Sequence, residues 1–211
     1  MAVVSPRAES ESARDIARVA ARLFATYGYD ATSIRMIVEG AGVARPTLYY
    51  HFGNKEGLRR ALVTEPLAAL EASLRAIVEG PGDALAKAVA LLETQFAFTR
   101  EDPDRVRFLF AIVFGPPGSD DPATCAAGDC RGVALTEWMV AGVRGLVEGG
   151  WVDPGRAEAC ASAYRGMFII RTLDCLYGGG ELGPDLAGRI VDDLLRGFGR
   201  VGPGIIQEGS S

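Results

Sequence analysis

Histidine is nearly missing from the 211-residue chain: His51 is the only one. Four cysteines (Cys125, Cys130, Cys160, Cys175) are too few for the disulfide framework of a small secreted domain. Cys125 and Cys130 share a loop, yet no second Cys/His pair lies near them in sequence, so zinc-type spacing is absent and ordinary thiols are the reading. There is no nucleophile elbow, phosphate-cradling glycine loop or metal-ligand spacing, so no catalytic residue, cofactor or metal is expected. The N-terminus lacks an apolar signal core. The longest apolar run, Phe108–Phe114, is far short of the ~20 residues of a membrane span, which predicts a cytoplasmic protein without a membrane partner. No alternating strand pattern occurs either.

What is present is apolar and helical. Hydrophobic residues make up 48% and charged residues 23%, enough apolar content to bury a core. The net charge of −5 argues against a polyanionic partner until its distribution is considered. Residues 1–60 carry nine Arg/Lys against six Asp/Glu, and residues 61–211 carry thirteen against twenty-one. A mildly basic head precedes an acidic body, and nucleic acid would be met head first.

Residues 1–11 are polar and aperiodic and read as a flexible arm. From Ser12 the spacing of Ile16, Val19, Ala20, Leu23, Phe24 and Tyr27 is that of an amphipathic helix stopped by Gly28, with Arg14, Arg18 and Arg22 outward. Thr32 is placed to cap the next helix, with Ile34, Ile37 and Val38 inward. Gly42 supplies a turn, and Val43, Leu48 and Phe52 anchor a second short helix to the same core. Asn54 caps a third that buries Leu58, Leu62 and Leu70. Pro66 falls inside that pattern and predicts a kink near Glu65 or a break. Further helices are expected over about 83–99, from Asp102-Pro103 to Phe114, over 132–148, from Asp153-Pro154 to about Tyr177, and over about 185–199, with a loop at 115–131. The last helix places Leu186, Ile190, Leu194, Leu195 and Phe198 on one face. The fold class is all-α, with about nine helices.

The stretch 32–55 is thus a helix, a glycine turn and a second helix, the layout that sets one helix in the DNA major groove. Arg45, Thr47, Tyr50 and His51 lie along the second helix, where side chains reach base edges; an arginine paired with guanine discriminates by ~1–3 kcal/mol. Pro46 presets the first turn of that helix. Thr32, Ser33, Tyr49 and Lys55 sit at helix ends or the motif edge, suited to phosphates, and Arg35 on its exposed face can reach either. Alternatives stand for two of these: Tyr49 as a core aromatic, and His51 as a structural side chain in place of a phosphate-facing one. Arg14, Arg18 and Arg22 form a solvated face or a distal phosphate contact.

The run Ala20-Ala21-x-Leu23-Phe24-x-x-x-Gly28-Tyr29-x-x-Thr32-Ser33-Ile34, continued by Ala41-Gly42-Val43, Thr47-Leu48-Tyr49-x-His51-Phe52 and Lys55-Glu56-x-Leu58, resembles the TetR family of bacterial transcriptional regulators. The resemblance covers about 45 residues. It implies a homodimer, an N-terminal DNA-binding domain, and a C-terminal domain that binds a small effector, and it makes Tyr49 and Lys55 the foremost phosphate anchors. Ala44 departs from the family, which often has a capping hydroxyl there. The expected division is a DNA-binding domain at 12–60, an effector-binding and dimerisation domain at 61–200, and a flexible tail at 201–211.

In the body, Val106–Phe114 is apolar around nearly its whole circumference, which predicts burial on all sides. By resemblance such a helix lines a cavity, and an apolar effector site bordered by Phe110, Phe114, Trp138 and Phe168 is expected. Arg171 and Asp174 at i, i+3 pair with each other, or Arg171 anchors the effector or a dimer contact. The helices at about 154–177 and 185–199 carry more apolar surface than one subunit covers, so a second copy is expected to pack on them as a four-helix bundle. The resulting reading is a DNA-binding regulator, a repressor of a palindromic double-stranded operator released by a small hydrophobic effector. The alternative is a helical ligand- or protein-binding module without operator function.

Overall fold

Helix is the regular structure throughout the residues that the computed structural model describes, 6–113 and 131–198, with side chains over 11–113 and 137–197. The helices are α1 (Pro6–Tyr27), α2 (Ile34–Ala41), α3 (Arg45–Phe52), α4 (Lys55–Arg59), α5 (Glu65–Glu79), α6 (Ala84–Glu101), α7 (Pro103–Val113), α8 (Arg131–Glu148), α9 (Ala157–Leu173) and α10 (Leu186–Phe198). A π-helical turn, Arg60–Thr64, joins α4 to α5 without a break, so nine separate helices stand among the described residues. Most of the arm at 1–11, the 115–131 loop with Cys125 and Cys130, Phe114, the Phe198 side chain and the tail at 201–211 lie outside this description.

Two compact units result, Met1–Ala72 with Phe98–Ala134 and Ser73–Ala97 with Leu135–Ser211. In the first, the apolar stripe of α1 buries Ile16, Val19, Ala20 and Phe24 against α2 and, most extensively, α7. α1 starts at Pro6, a turn and a half before the expected Ser12, because polar residues at a helix start need no buried partner. Tyr27, expected on the buried stripe, is 58% exposed because it is the last residue before the Gly28 stop.

The helix α7 also departs from expectation. Val106, Phe108 and Leu109 are buried, and the Phe108 ring lies 5.1 Å from that of Phe24, but Ala111 and Val113 are exposed. One face packs on α1 while Ala111 and Val113 stay exposed among the described residues, so the all-round apolar sequence does not translate into all-round burial. Its start is as predicted: Asp102 Oδ1 accepts the Arg105 amide at 2.9 Å, ahead of Pro103.

Pro66 does not break the helix; a π turn, Arg60–Thr64, leads into it. A proline ring collides with the carbonyl four residues back, here Leu62, and the wider π turn directly ahead of Pro66 spreads those groups apart. The Glu65 amide accordingly donates to Arg60, five residues back.

The second unit is built on Ala88, Leu92 and Phe96 of α6, Met139, Val143 and Leu146 of α8, Cys160 and Tyr164 of α9, and Leu186, Ile190 and Leu194 of α10. Tyr164 is fully buried and its hydroxyl donates to the Ala88 carbonyl; burial drives its pKa well above the usual phenol value. Asp153 caps the next element by accepting the Gly155 amide at 2.7 Å, although the chain first makes a 3-10 turn, Pro154–Arg156. After Leu173 the helix widens into a π turn, Asp174–Gly178. The Arg171–Asp174 pair is not among the ion pairs of the described residues. The Asp174 carboxylate folds instead over the glycines that follow, and a Cβ at Gly180 would collide with its Oδ2.

Candidate nucleic-acid interface

The helix pair α2–α3 owes its geometry to three local devices. Ser33, with extended backbone, caps α2 by accepting the Met36 amide at 3.2 Å. Gly42 adopts φ 64°, a left-handed conformation costly to any other residue, and its amide donates to Glu39. Ala44 then enters α3 with no side-chain cap, as its missing hydroxyl dictates. The turn out of α3 is equally tight: a Cβ at Gly57 would collide with the Phe52 carbonyl oxygen, while Asn54 Oδ1 caps α4 through the Gly57 amide at 2.6 Å.

Thr32 is not the cap, and it offers no side chain to a ligand. It is fully buried, with its hydroxyl donating to the carbonyls of Gly28 at 2.8 Å and Leu23 at 3.2 Å. Its neighbour Ser33 is exposed. Two adjacent hydroxyl residues are equivalent as cap candidates in sequence; the tertiary carbonyls of α1 decide between them.

α3 is anchored to the core by Leu48 and turns nearly everything else outward. Arg45, Pro46, Tyr49 and Tyr50 are exposed, Tyr50 to 71%, while Thr47 and His51 are half-buried. Tyr49 is therefore not a core aromatic. Its hydroxyl accepts from Arg45 Nη2 at 3.1 Å, and the Arg45 guanidinium lies 5.5 Å from its ring centroid. His51 packs edge-on against Tyr50 at 5.0 Å. Arg35, on the outer face of α2, pairs with Glu39 at 2.7 Å, which raises its pKa further. A surface pair of this kind contributes little to stability and yields readily to a better anion.

Lys55 stands at the start of α4 with its Nζ 4.1 Å from the Tyr29 ring centroid and 3.4 Å from the Asp30 carbonyl. Partial burial lowers its pKa, an effect that Asp30 opposes. Beside it is a group that the sequence pattern does not single out. Arg59 is 1% exposed, with Nε and Nη2 donating to both carboxylate oxygens of Glu56, at 3.1 and 2.5 Å. Glu56 also accepts from the Tyr29 hydroxyl at 3.1 Å. Its pKa is lowered, chiefly by the hydrogen bonds from Arg59, with Tyr29 contributing. The one signal available in the sequence is the i, i+3 spacing of Glu56 and Arg59.

The proposed effector residues fall in different places. Phe110 is half-buried on α7 in the first unit. In the second unit Trp138 is half-buried with the Arg75 guanidinium 5.7 Å from its ring, Phe168 packs on Phe96 at 5.8 Å, and Arg171 is exposed. The second unit also has an open groove of about 540 Å³ lined by Leu85, Val89, Trp151, Asp192, Leu195 and Arg196, among others, and not by Phe110, Trp138, Phe168 or Arg171.

A compact helical head whose second motif helix faces solvent defines a helix-turn-helix protein. Residues 16–62 match the profile of bacterial regulatory proteins, tetR family. Among its relatives, the transcriptional repressor AcnR of Corynebacterium glutamicum is 34% identical over 70 residues, covering 33% of this chain and 37% of that protein. The chain's match thus spans under two fifths of that relative's length. The solved structure of the ketosteroid transcriptional regulator KstR2 of Mycobacterium tuberculosis superimposes with a TM-score of 0.70 at 20% identity, covering 94% of this chain and 98% of that one. The crystal structure of AibR in complex with isovaleryl coenzyme A and operator DNA gives 0.59 at 20% identity, covering 89% and 97%. At these identities the two structures establish a shared fold: an N-terminal helix-turn-helix followed by a larger helical body.

Proposed function

We propose that this protein is a DNA-binding transcriptional regulator, a repressor that binds a palindromic operator as a homodimer and is released by a small apolar effector. The observation that carries the reading is α3, which buries Leu48 while Arg45, Pro46, Tyr49 and Tyr50 face solvent. Arg45, Thr47 and Tyr50 are assigned to base edges, and His51 to a phosphate. Ser33, Tyr49 and Lys55 are assigned to phosphates, with Arg35 available to either. The names of the relatives support the assignment, since AcnR is a repressor and AibR was crystallised with operator DNA. No catalytic role is assigned; the sole histidine belongs to α3.

Residues 12–60 are taken as the DNA-binding domain and 61–200 as the effector and dimerisation domain. Ile170 and Tyr177, 63% and 65% exposed, favour a second copy against α9 and α10. Two recognition helices would then meet successive major grooves about 34–36 Å apart. A small apolar effector would shift head separation through the continuous helix that carries Pro66. A coupling of ~1–3 kcal/mol relieves binding ~5–150-fold.

The test is duplex binding by fluorescence anisotropy on genomic fragments across a salt series. With ~6–10 phosphate contacts, affinity falls ~10³–10⁵-fold between 50 and 200 mM salt. Arg45→Ala relaxes base preference, whereas Lys55→Ala weakens all sequences alike and flattens the salt slope. Equal loss of specificity in both variants refutes the division of roles, and the absence of any preferred fragment refutes operator binding.

A further inference from the structure

We propose that Arg59, Glu56 and Tyr29 form a positioning relay that holds the Lys55 ammonium ready for a DNA phosphate; this rests on the operator-binding reading above. The starting point is the burial of Arg59 at 1% exposure. Removing a guanidinium from water is unfavourable unless it is paired with good geometry, so its surroundings must supply that pairing. They do so through a two-pronged contact, Nε and Nη2 on the two oxygens of Glu56 at 3.1 and 2.5 Å. A bidentate fork fixes the carboxylate plane as well as its charge.

The fixed carboxylate acts on Tyr29. Its Oε2 accepts the Tyr29 hydroxyl at 3.1 Å, tying the turn between α1 and α2 to the first turn of α4. The Tyr29 ring is further held by Phe24, at 5.2 Å between centroids, and by the Arg59 guanidinium 5.3 Å from its centroid. On this immobilised ring rests the Lys55 Nζ, 4.1 Å from the centroid, with the Asp30 carbonyl at 3.4 Å as a second support. A free lysine surrenders much of its rotamer freedom when it grips a phosphate. One already parked on a ring face has surrendered part of it on folding, and the remaining ammonium hydrogens stay available. Glu56 is engaged by Arg59 and Tyr29, which keeps the adjacent carboxylate from competing for the same ammonium.

The experiment is a double-mutant cycle on the full-length protein, read as anisotropy on a generic duplex of about 30 base pairs over a salt series. Arg59→Met should weaken binding about two- to fivefold, the worth of an exposed cation–π contact. It should also lower the salt slope by up to ~0.9, one phosphate's share. In the Lys55→Ala background the same substitution should have no further effect. Tyr29→Phe, which keeps the ring and loses the hydroxyl, should fall between parent and Arg59→Met. A merely structural Arg59 would reduce the active fraction equally in both backgrounds and leave the slope unchanged, and that result overturns the relay. Should Arg59→Met fail to fold by circular dichroism, Glu56→Gln at an exposed residue runs the same cycle: an effect confined to the Lys55 background supports the relay, and an equal effect in both overturns it. If the parent itself shows no salt-dependent duplex binding, operator binding fails first and the relay falls with it.

Discussion

The uncapped start of α3 gives the most direct test of the local physics. Ala44 sits at the N-cap with φ −76° and ψ 148°, close to the −90° and 155° at which Ser33 caps α2. Ala44→Ser therefore introduces a hydroxyl at a backbone already shaped for capping, and because the residue is exposed nothing is lost from the core. The gain is limited by what the hydroxyl can accept from. Pro46 occupies the second helical position and has no N–H, so only the Thr47 amide is available, and it already donates to the Ala44 carbonyl at 3.0 Å. The stabilisation should thus lie at the low end of the range for capping residues, ~0.5–1 kcal/mol. For a chain of this size that is a rise in melting temperature of roughly 1–4 °C. Trp138 and Trp151 both belong to the second unit, so tryptophan fluorescence reports on the wrong half of the molecule. Amide hydrogen exchange within α3 is the proper assay, and protection should increase about two- to fivefold if α3 opens locally. Unchanged or faster exchange would show that the Thr47 amide is already saturated and that capping does not govern this helix.

Three further outcomes follow from other sites. Gly42→Ala should destabilise the head by ~1–2 kcal/mol through backbone strain alone, since φ is 64° and the new Cβ meets nothing within 4 Å; a neutral urea midpoint contradicts this. Phe108→Ala removes a ring that is 3% exposed and packed on Phe24, and should cost ~3–5 kcal/mol in equilibrium unfolding; a loss below about 1 kcal/mol would mean α7 is dispensable to α1. Glu56 has a lowered pKa in the folded protein, so its contribution to stability is complete above the unfolded value of ~4.3 and fades as pH falls through the lower folded value. Acid titration of head stability should show this loss in the parent and not in Glu56→Gln; identical acid profiles refute it.

The elements that were legible in sequence are those whose signals are local. The Gly42 turn and the Asp102-Pro103 start each depend on residues within one helical turn and appear where their patterns put them, and the α1 stripe and the Asp153-Pro154 start do so apart from Tyr27 and a 3-10 first turn. What escaped depends on residues brought together by folding. Thr32 and Ser33 are interchangeable until the carbonyls of Leu23 and Gly28 claim the threonine. Pro66 announced a disturbance but not its form, because a π turn is one of several ways to open space at Leu62. The apolar circumference of α7 described what could be buried, whereas the packing of α1 determined which face was.

Arg59 is the sharpest instance. By composition it is one more cation in a basic head, and its helical phase does not separate it from an exposed arginine. It is buried with Glu56 of its own helix and Tyr29, far earlier in the chain, among its neighbours, and the contact with Tyr29 depends on the fold. An i, i+3 pair on a solvated face would be worth a few tenths of a kcal/mol. Here the Arg59 end is buried while the Glu56 end stays half exposed, so the pair contributes more than a solvated one without reaching the worth of a fully buried one. The basicity of the head therefore divides into charges placed to meet a polyanion, as at Arg45 and Lys55, and a charge spent on geometry. Net charge over residues 1–60 counts both kinds alike, so the salt slope of the Arg59 variants, rather than their charge, is what separates them.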